Sequence, residues 1–137
     1  MSKPSITLPL TIRFSEVDSM RIVWHGHYLR YFEDAREAFG KQYGLEYMTI
    51  YGYGYYAPLV DVSVSYKRPI TYGMSPLITI TYQPTEAAKI IFDYAIKDAN
   101  SGQLLASGRT VQVFMDLDNQ LVWQSPQFYL DWKAQNL

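Results

Sequence analysis

The stretch His27-Tyr28-Leu29-Arg30-Tyr31-Phe32-Glu33-Asp34-Ala35-Arg36-Glu37-Ala38-Phe39-Gly40-Lys41-Gln42-Tyr43 decides the fold. Tyr28, Tyr31, Phe32, Ala35, Ala38 and Phe39 fall at i, i+3, i+4, i+7, i+10 and i+11, the period of one helix face. Gly44 follows as a C′ residue able to take a left-handed conformation, and Lys41 sits in the last turn, where a cation favours the helix dipole. Glu33, Arg36, Glu37 and Lys41 form a polar stripe at spacings of three and four, an ordinary helix surface of solvated or paired charges.

Around this helix the period changes to two. Upstream, Ile6, Leu8, Leu10, Ile12 and Phe14 alternate with Thr7, Thr11, Arg13 and Ser15 as in a strand, and Pro9 inside it implies an edge position or an irregularity. Downstream, after the Tyr/Gly-rich run Tyr51 to Tyr56, four more alternating segments follow: Val60 to Tyr66, Ile78 to Tyr82, Ile90 to Ile96 and Leu105 to Met115. Pro69 with Gly73, Pro84, and Asn100-Ser101-Gly102 punctuate them. Residues 126–134 read equally as a short helix or an extended strap. One strand, one long apolar-faced helix and four strands give an α+β pattern in which an antiparallel sheet of about five strands must cover the helix.

The 137 residues fit one domain, residues 1–137, and 48% hydrophobic content supplies its core without disulfides or metals. With no cysteine, a disulfide framework, a cysteine nucleophile and a thiolate metal site are excluded. Met1-Ser2-Lys3-Pro4 carries no apolar signal segment, and no apolar run approaches the roughly 20 residues of a membrane span, so the expectation is a cytoplasmic protein with no membrane partner. Twelve basic and thirteen acidic residues are interspersed to a net charge of −1, which gives no basic field for nucleic acid.

Gly-x-Ser-x-Gly elbows, phosphate-binding glycine loops and Gly-x-Gly-x-x-Gly turns are all missing. What remains is the polar stretch from Arg13 to Tyr28, which holds both histidines of the chain. No Ser, Thr, Asp or Asn occupies Trp24-His25-Gly26, where a helix starting near Gly26 or His27 would have its N-cap, so the first-turn amides lack a side-chain partner. Such amides suit an oxyanion or a polarised carbonyl, and Asp18 upstream suits a base or nucleophile. The other reading of the same residues is a water-capped helix with Asp18 anchoring a turn.

Asp18-Ser19-Met20-Arg21-Ile22-Val23-Trp24-His25-Gly26-His27-Tyr28, continuing to Arg36, resembles the signature of the hotdog-fold 4-hydroxybenzoyl-CoA thioesterase-like family: Asp, Val five residues on, then Tyr, then a helix bearing Glu and Arg. Similarity in Tyr66-Lys67-Arg68-Pro69-Ile70 and in Ala106 to Asp116 extends it over nearly the whole chain. The resemblance implies a long central helix wrapped by a curved antiparallel sheet, hydrolysis of acyl-CoA or acyl-carrier-protein thioesters, no cofactor, and a homodimer or homotetramer with sites at the dimer interface. It implies Asp18 as the catalytic carboxylate and the backbone amide of His25 as the group polarising the thioester carbonyl. Arg21 and His27 depart from the family, many of whose members have Gly and Asn there, and glycine has the freer backbone.

Trp24, His27 and Tyr28 are candidate substrate contacts, and Lys67, Arg68 and Lys89 candidate cations for the coenzyme phosphates, with Arg109 a further possibility. A metal held by Asp18, His25 and His27 is disfavoured, because side chains two apart at a helix start diverge. Two rival functions remain: a hotdog hydratase or dehydratase on acyl thioesters, and a non-catalytic acyl-CoA or acyl-carrier-protein binding module.

Overall fold

The computed structural model describes residues 3–137; Met1 and Ser2, the start of the segment read as free of a signal, lie outside them. Five long or medium strands, β1 (Ser5–Pro9), β3 (Leu59–Tyr66), β4 (Pro76–Gln83), β5 (Lys89–Asp98) and β6 (Leu104–Asp116), join two-residue strands β2 (Tyr55–Tyr56) and β7 (Leu121–Val122). All pairings are antiparallel, in the order β1-β4-β5-β6, with β2, β3 and β7 also paired to β6. The helices are α1 (Tyr28–Tyr43), α2 (Tyr47–Gly52) and α3 (Gln127–Asn136). None of them is long and apolar enough to cross a membrane.

The antiparallel register sets Ile6, Ile80, Tyr94, Gly108 and Val64 side by side across the sheet, and Leu8, Ile78, Ile96, Ala106 and Tyr66 in the next row. Because side chains alternate, these rows share one face, and α1 buries Tyr28, Tyr31, Phe32, Ala35 and Phe39 in the same core cluster. At the centre Phe32 stacks on Tyr94 at 4.1 Å between ring centroids. Gly108 makes that approach possible: a Cβ there would lie 2.5 Å from the Phe32 ring and 2.7 Å from the Ser63 carbonyl oxygen. Gly44 ends α1 at φ 80°, its amide donating to Gly40 at 2.8 Å, and Lys41 pairs with Glu37 at 3.6 Å. Arg36 instead donates to the Tyr94 hydroxyl, which in turn meets Thr110 at 2.6 Å.

Three elements differ from the sequence reading. The first strand stops at Pro9 rather than running to Phe14, which is 76% exposed; among the described residues it is a sheet edge, one of the two outcomes the proline allowed. The Tyr/Gly-rich run contributes the end of α2 and all of β2. The ambiguous tail is α3, which buries Tyr129 and Trp132; the Trp132 indole donates to the Tyr43 carbonyl at 2.6 Å and the Tyr129 hydroxyl to the Lys89 carbonyl at 2.7 Å, closing the core at the C-terminal end of α1.

Candidate active site

A small hairpin carries Asp18. Val17 bridges Val23, the Asp18 amide donates to Ile22 O at 2.9 Å, and the Arg21 amide donates back to Asp18 O at 2.9 Å, making a four-residue turn. Arg21 completes it at φ 66°, the left-handed region that glycine enters at least cost. Asp18 Oδ1 accepts the Met20 amide at 2.8 Å, so this carboxylate does anchor its turn. Among the described residues its second oxygen has no protein donor, and the side chain remains partly exposed.

The hairpin is stitched to the segment after β3: Ile22 bridges Thr71, and the Val23 amide donates to Ile70 O at 2.7 Å. Trp24 then leads into a tight 3-10 turn, His25–His27, that runs directly into α1. The His27 amide donates to Trp24 O at 3.0 Å and the Tyr28 amide to His25 O. The amides of His25 and Gly26 have no acceptor among the described residues, and neither the turn nor the helix is capped by a side chain. The indole of Trp24 lies over Gly26, where a Cβ would come within 2.1 Å of the ring. Trp24 also packs on His25 and His27, at 4.9 and 5.5 Å between centroids, while staying half exposed.

Two further side chains shape this corner. Tyr66, the last residue of β3, donates its hydroxyl to the His25 carbonyl at 3.1 Å and sets its ring edge-on to Tyr28 at 4.8 Å. Glu16, only 4% exposed, accepts the Arg13 amide at 2.8 Å and the Tyr31 hydroxyl at 3.1 Å. Burial, and then the Glu16 charge beside it, push the Tyr31 phenol well above the usual tyrosine range. Neither Glu16 nor Tyr66 was singled out by the sequence; Glu16 stands two residues before Asp18, and Tyr66 opens the Tyr-Lys-Arg-Pro run, the only cues to either.

The structure brings Asp18, Trp24, His25 and His27 to one end of the sheet. Lys67 and Arg68 lie at that end too, three and two residues before Ile70, and both of their amides donate to Leu105 O, at 2.9 and 3.0 Å. With the Gln103 amide oriented to accept, Arg68 also gives it two hydrogen bonds, of 3.0 and 3.1 Å. Tyr28 is 3% exposed and lies beneath the site rather than on its surface. Its phenol is pushed up by that burial and, secondarily, by Tyr66. Lys89 starts β5, whose other end carries Asp98, so within one chain it stands roughly 30 Å of strand away from the Asp18 end. Arg109 is committed to a two-point ion pair with Asp93, at 2.6 and 2.9 Å.

A cavity of about 430 Å³ opens elsewhere, between α1, α2 and strands β3, β5 and β6, over Phe39, Leu45, Ile50, Ile90 and Phe92. Asp18 is not among the residues that line it.

An open carboxylate, two unspent amides at a helix start and an aromatic wall can together bind a carbonyl, stabilise negative charge on its oxygen and deliver water or a carboxylate to its carbon. Residues 12–133 match the model of the thioesterase-like superfamily. The chain is 28% identical to YneP of Bacillus subtilis, named as a candidate acyl-CoA thioesterase, over 90% of this chain and 88% of that one. It is 27% identical to the 1,4-dihydroxy-2-naphthoyl-CoA hydrolase of Synechocystis over 90% of both. The fold is that of the Synechocystis 1,4-dihydroxy-2-naphthoyl-CoA thioesterase crystal structure (TM-score 0.82, 24% identity, 95% and 96% of the two chains). A 4-hydroxybenzoyl-CoA thioesterase variant complexed with 4-hydroxybenzoyl-CoA shares it as well (TM-score 0.81, 20% identity, 94% and 98%).

Proposed function

Because the chain belongs to the thioesterase-like superfamily of hotdog-fold hydrolases, we propose that it hydrolyses acyl-CoA thioesters at the corner between the Asp18 hairpin and the start of α1. Water adds to the thioester carbon, the carbon–sulfur bond breaks, and a carboxylic acid and the coenzyme thiol leave. Asp18 either takes the proton from the attacking water or attacks the carbonyl first, expelling the thiolate and forming a mixed anhydride that water then hydrolyses to the acid, and the His25 amide, with that of Gly26 beside it, holds the oxygen as it gains charge. Trp24 and His27 flank the acyl group. Lys67 and Arg68, on the segment that pairs with the hairpin, hold coenzyme phosphates.

The observation that carries this reading is the pairing of a carboxylate with one unengaged oxygen and two unengaged amides on adjoining turns. A homodimer fits the same reading. Beyond its pairing with β6, β3 has no neighbour on its other side among the described residues, and Leu59, Val60 and Val62 are exposed along it, so a second copy would cover both the strand edge and this apolar surface.

A thiol-release assay over short, branched, long and aromatic acyl-CoAs, with acyl-carrier proteins beside them, tests the function. Thiol release from at least one thioester is expected. Loss of enoyl conjugation without thiol release would make the protein a hydratase, and binding without turnover would make it a carrier module.

A further inference from the structure

Glu16 is a buried acid that hydrolysis as described does not use. Placing a carboxylate in an apolar interior is costly unless donors surround it, and a fold keeps such a group where its directional bonds hold something in place. Here the carboxylate's bonds reach two separate pieces of chain, and the Glu16 backbone carbonyl reaches a third. The Arg13 amide, 2.8 Å from Oε1, belongs to the segment entering the hairpin. The Tyr31 hydroxyl, 3.1 Å from the same oxygen, belongs to the first turn of α1. Arg30 approaches Oε2 from the same turn at 3.9 Å, and its other terminal nitrogen stands 3.5 Å from His27 Nδ1. The Glu16 carbonyl meanwhile accepts the Trp24 amide at 3.0 Å, one residue before His25.

The two halves of the site hang from these contacts. Asp18 is two residues after Glu16, past the Val17–Val23 bridge, and the open amides are one and two residues after Trp24. We propose that Glu16 is a positioning residue: its buried carboxylate locks the Asp18 hairpin against the first turn of α1 and so sets the distance between Asp18 and the amides of His25 and Gly26. Misplacing a reacting group by about 1 Å can cost on the order of 10²-fold in rate. Part of that loss is expected when the lock is loosened, with little change in ground-state binding.

This rests on the hydrolase reading above, and kinetics on the full-length protein separate the two. Glu16→Gln keeps the shape and the acceptor toward Arg13 but removes the charge; Tyr31→Phe removes one donor and leaves Glu16 in place. Both should lower kcat for the best acyl-CoA substrate by about tenfold or more while KM changes less than about twofold, at a temperature where each variant is folded. In an Asp18→Asn background neither change should lower the residual rate further, since Glu16 acts through Asp18. A merely structural Glu16 would lower the melting temperature and leave kcat per folded molecule intact, and that result overturns the proposal. So does an additive loss on top of Asp18→Asn. If Glu16→Gln does not fold, the Tyr31→Phe pair of measurements decides by the same criteria. No thiol release by the wild type on any thioester would sink the hydrolase reading itself and this proposal with it, an outcome distinct from a working enzyme indifferent to Glu16.

Discussion

Between α1 and the sheet, Phe32 is fully buried against Tyr94 over a glycine that leaves it room, and Tyr28, Tyr31, Ala35 and Phe39 are buried beside it at the period of the helix face. A few residues upstream, from Arg13 to Tyr28, the same chain puts a carboxylate inside, leaves Phe14, Met20 and Trp24 half or more exposed, holds an arginine at φ 66° and starts a helix with no side-chain cap. Local rules are followed in the core and broken in the hairpin, and under the proposed function the broken rules leave groups unsatisfied to act on something else. The two regions should therefore respond to substitution in opposite ways, the core through stability and the hairpin through rate.

The core gives the largest expected effect. Phe32→Ala removes a ring with no exposed surface and should destabilise the fold by about 3–5 kcal/mol. Denaturant titration measures this, and kcat per folded molecule should change far less than stability. A large fall in kcat at unchanged stability would mean that the core residue belongs to the site and that the contrast between the regions is false.

Asp18→Asn is the mirror image. The amide oxygen can still accept the Met20 N–H, so the turn survives, while basicity and nucleophilicity are lost. Thiol release should fall at least about 10²-fold, or roughly 3 kcal/mol of transition-state stabilisation, with the unfolding midpoint nearly unchanged. Near-wild-type turnover by the folded variant would leave Asp18 as a turn anchor only.

How far these regions could be read beforehand follows the same division. Helix α1 was legible because six apolar residues repeat at its period and Gly44 ends it; β1 was legible as an edge or an irregular strand because Pro9 cannot donate to a ladder, though its early end was not. The proposed roles of Asp18 and His25 came from an absent cap and a family motif. Glu16 and Tyr66 were not reached, because their importance lies in bonds to Tyr31, Arg13 and the His25 carbonyl, contacts that exist only after the hairpin has folded onto α1 and β3. Tyr28 and Lys89 read as substrate contacts from their chemistry; in the structure Tyr28 is buried beneath the surface, and within one chain the length of β5 separates Lys89 from the Asp18 end.

A smaller effect is expected at the edge of the hairpin region. Replacing Lys67 and Arg68 together by Ala should raise KM for an acyl-CoA several-fold, about 1 kcal/mol, and leave kcat alone, since the coenzyme tail is held alike in ground and transition states. Steady-state kinetics with the same acyl group on CoA and on a short thiol provide the check. The short-thiol substrate should be indifferent to the change, and an unchanged KM for the CoA thioester would remove these residues from the site.

The smallest and most discriminating effect is at Arg21. An L-residue in the left-handed region gives up about 1–2 kcal/mol that glycine does not, whereas glycine loses about 0.4–1 kcal/mol more backbone entropy on folding. Arg21 is exposed at φ 66°, and the bond that closes the turn comes from its backbone amide, which glycine keeps. Arg21→Gly should therefore stabilise the protein by between about zero and 1.6 kcal/mol, seen as a small rise in the denaturation midpoint. Kinetics then tell what the strain is for. Unchanged kcat and KM would show that the arginine only tolerates the turn, a rise in KM for CoA thioesters would show that its guanidinium reaches the substrate, and a fall in kcat would show that the turn needs a stiffer residue than glycine to hold Asp18 still. Clear destabilisation would mean that the turn is relaxed as it stands, and the hairpin would lose one of the marks that set it apart from the core.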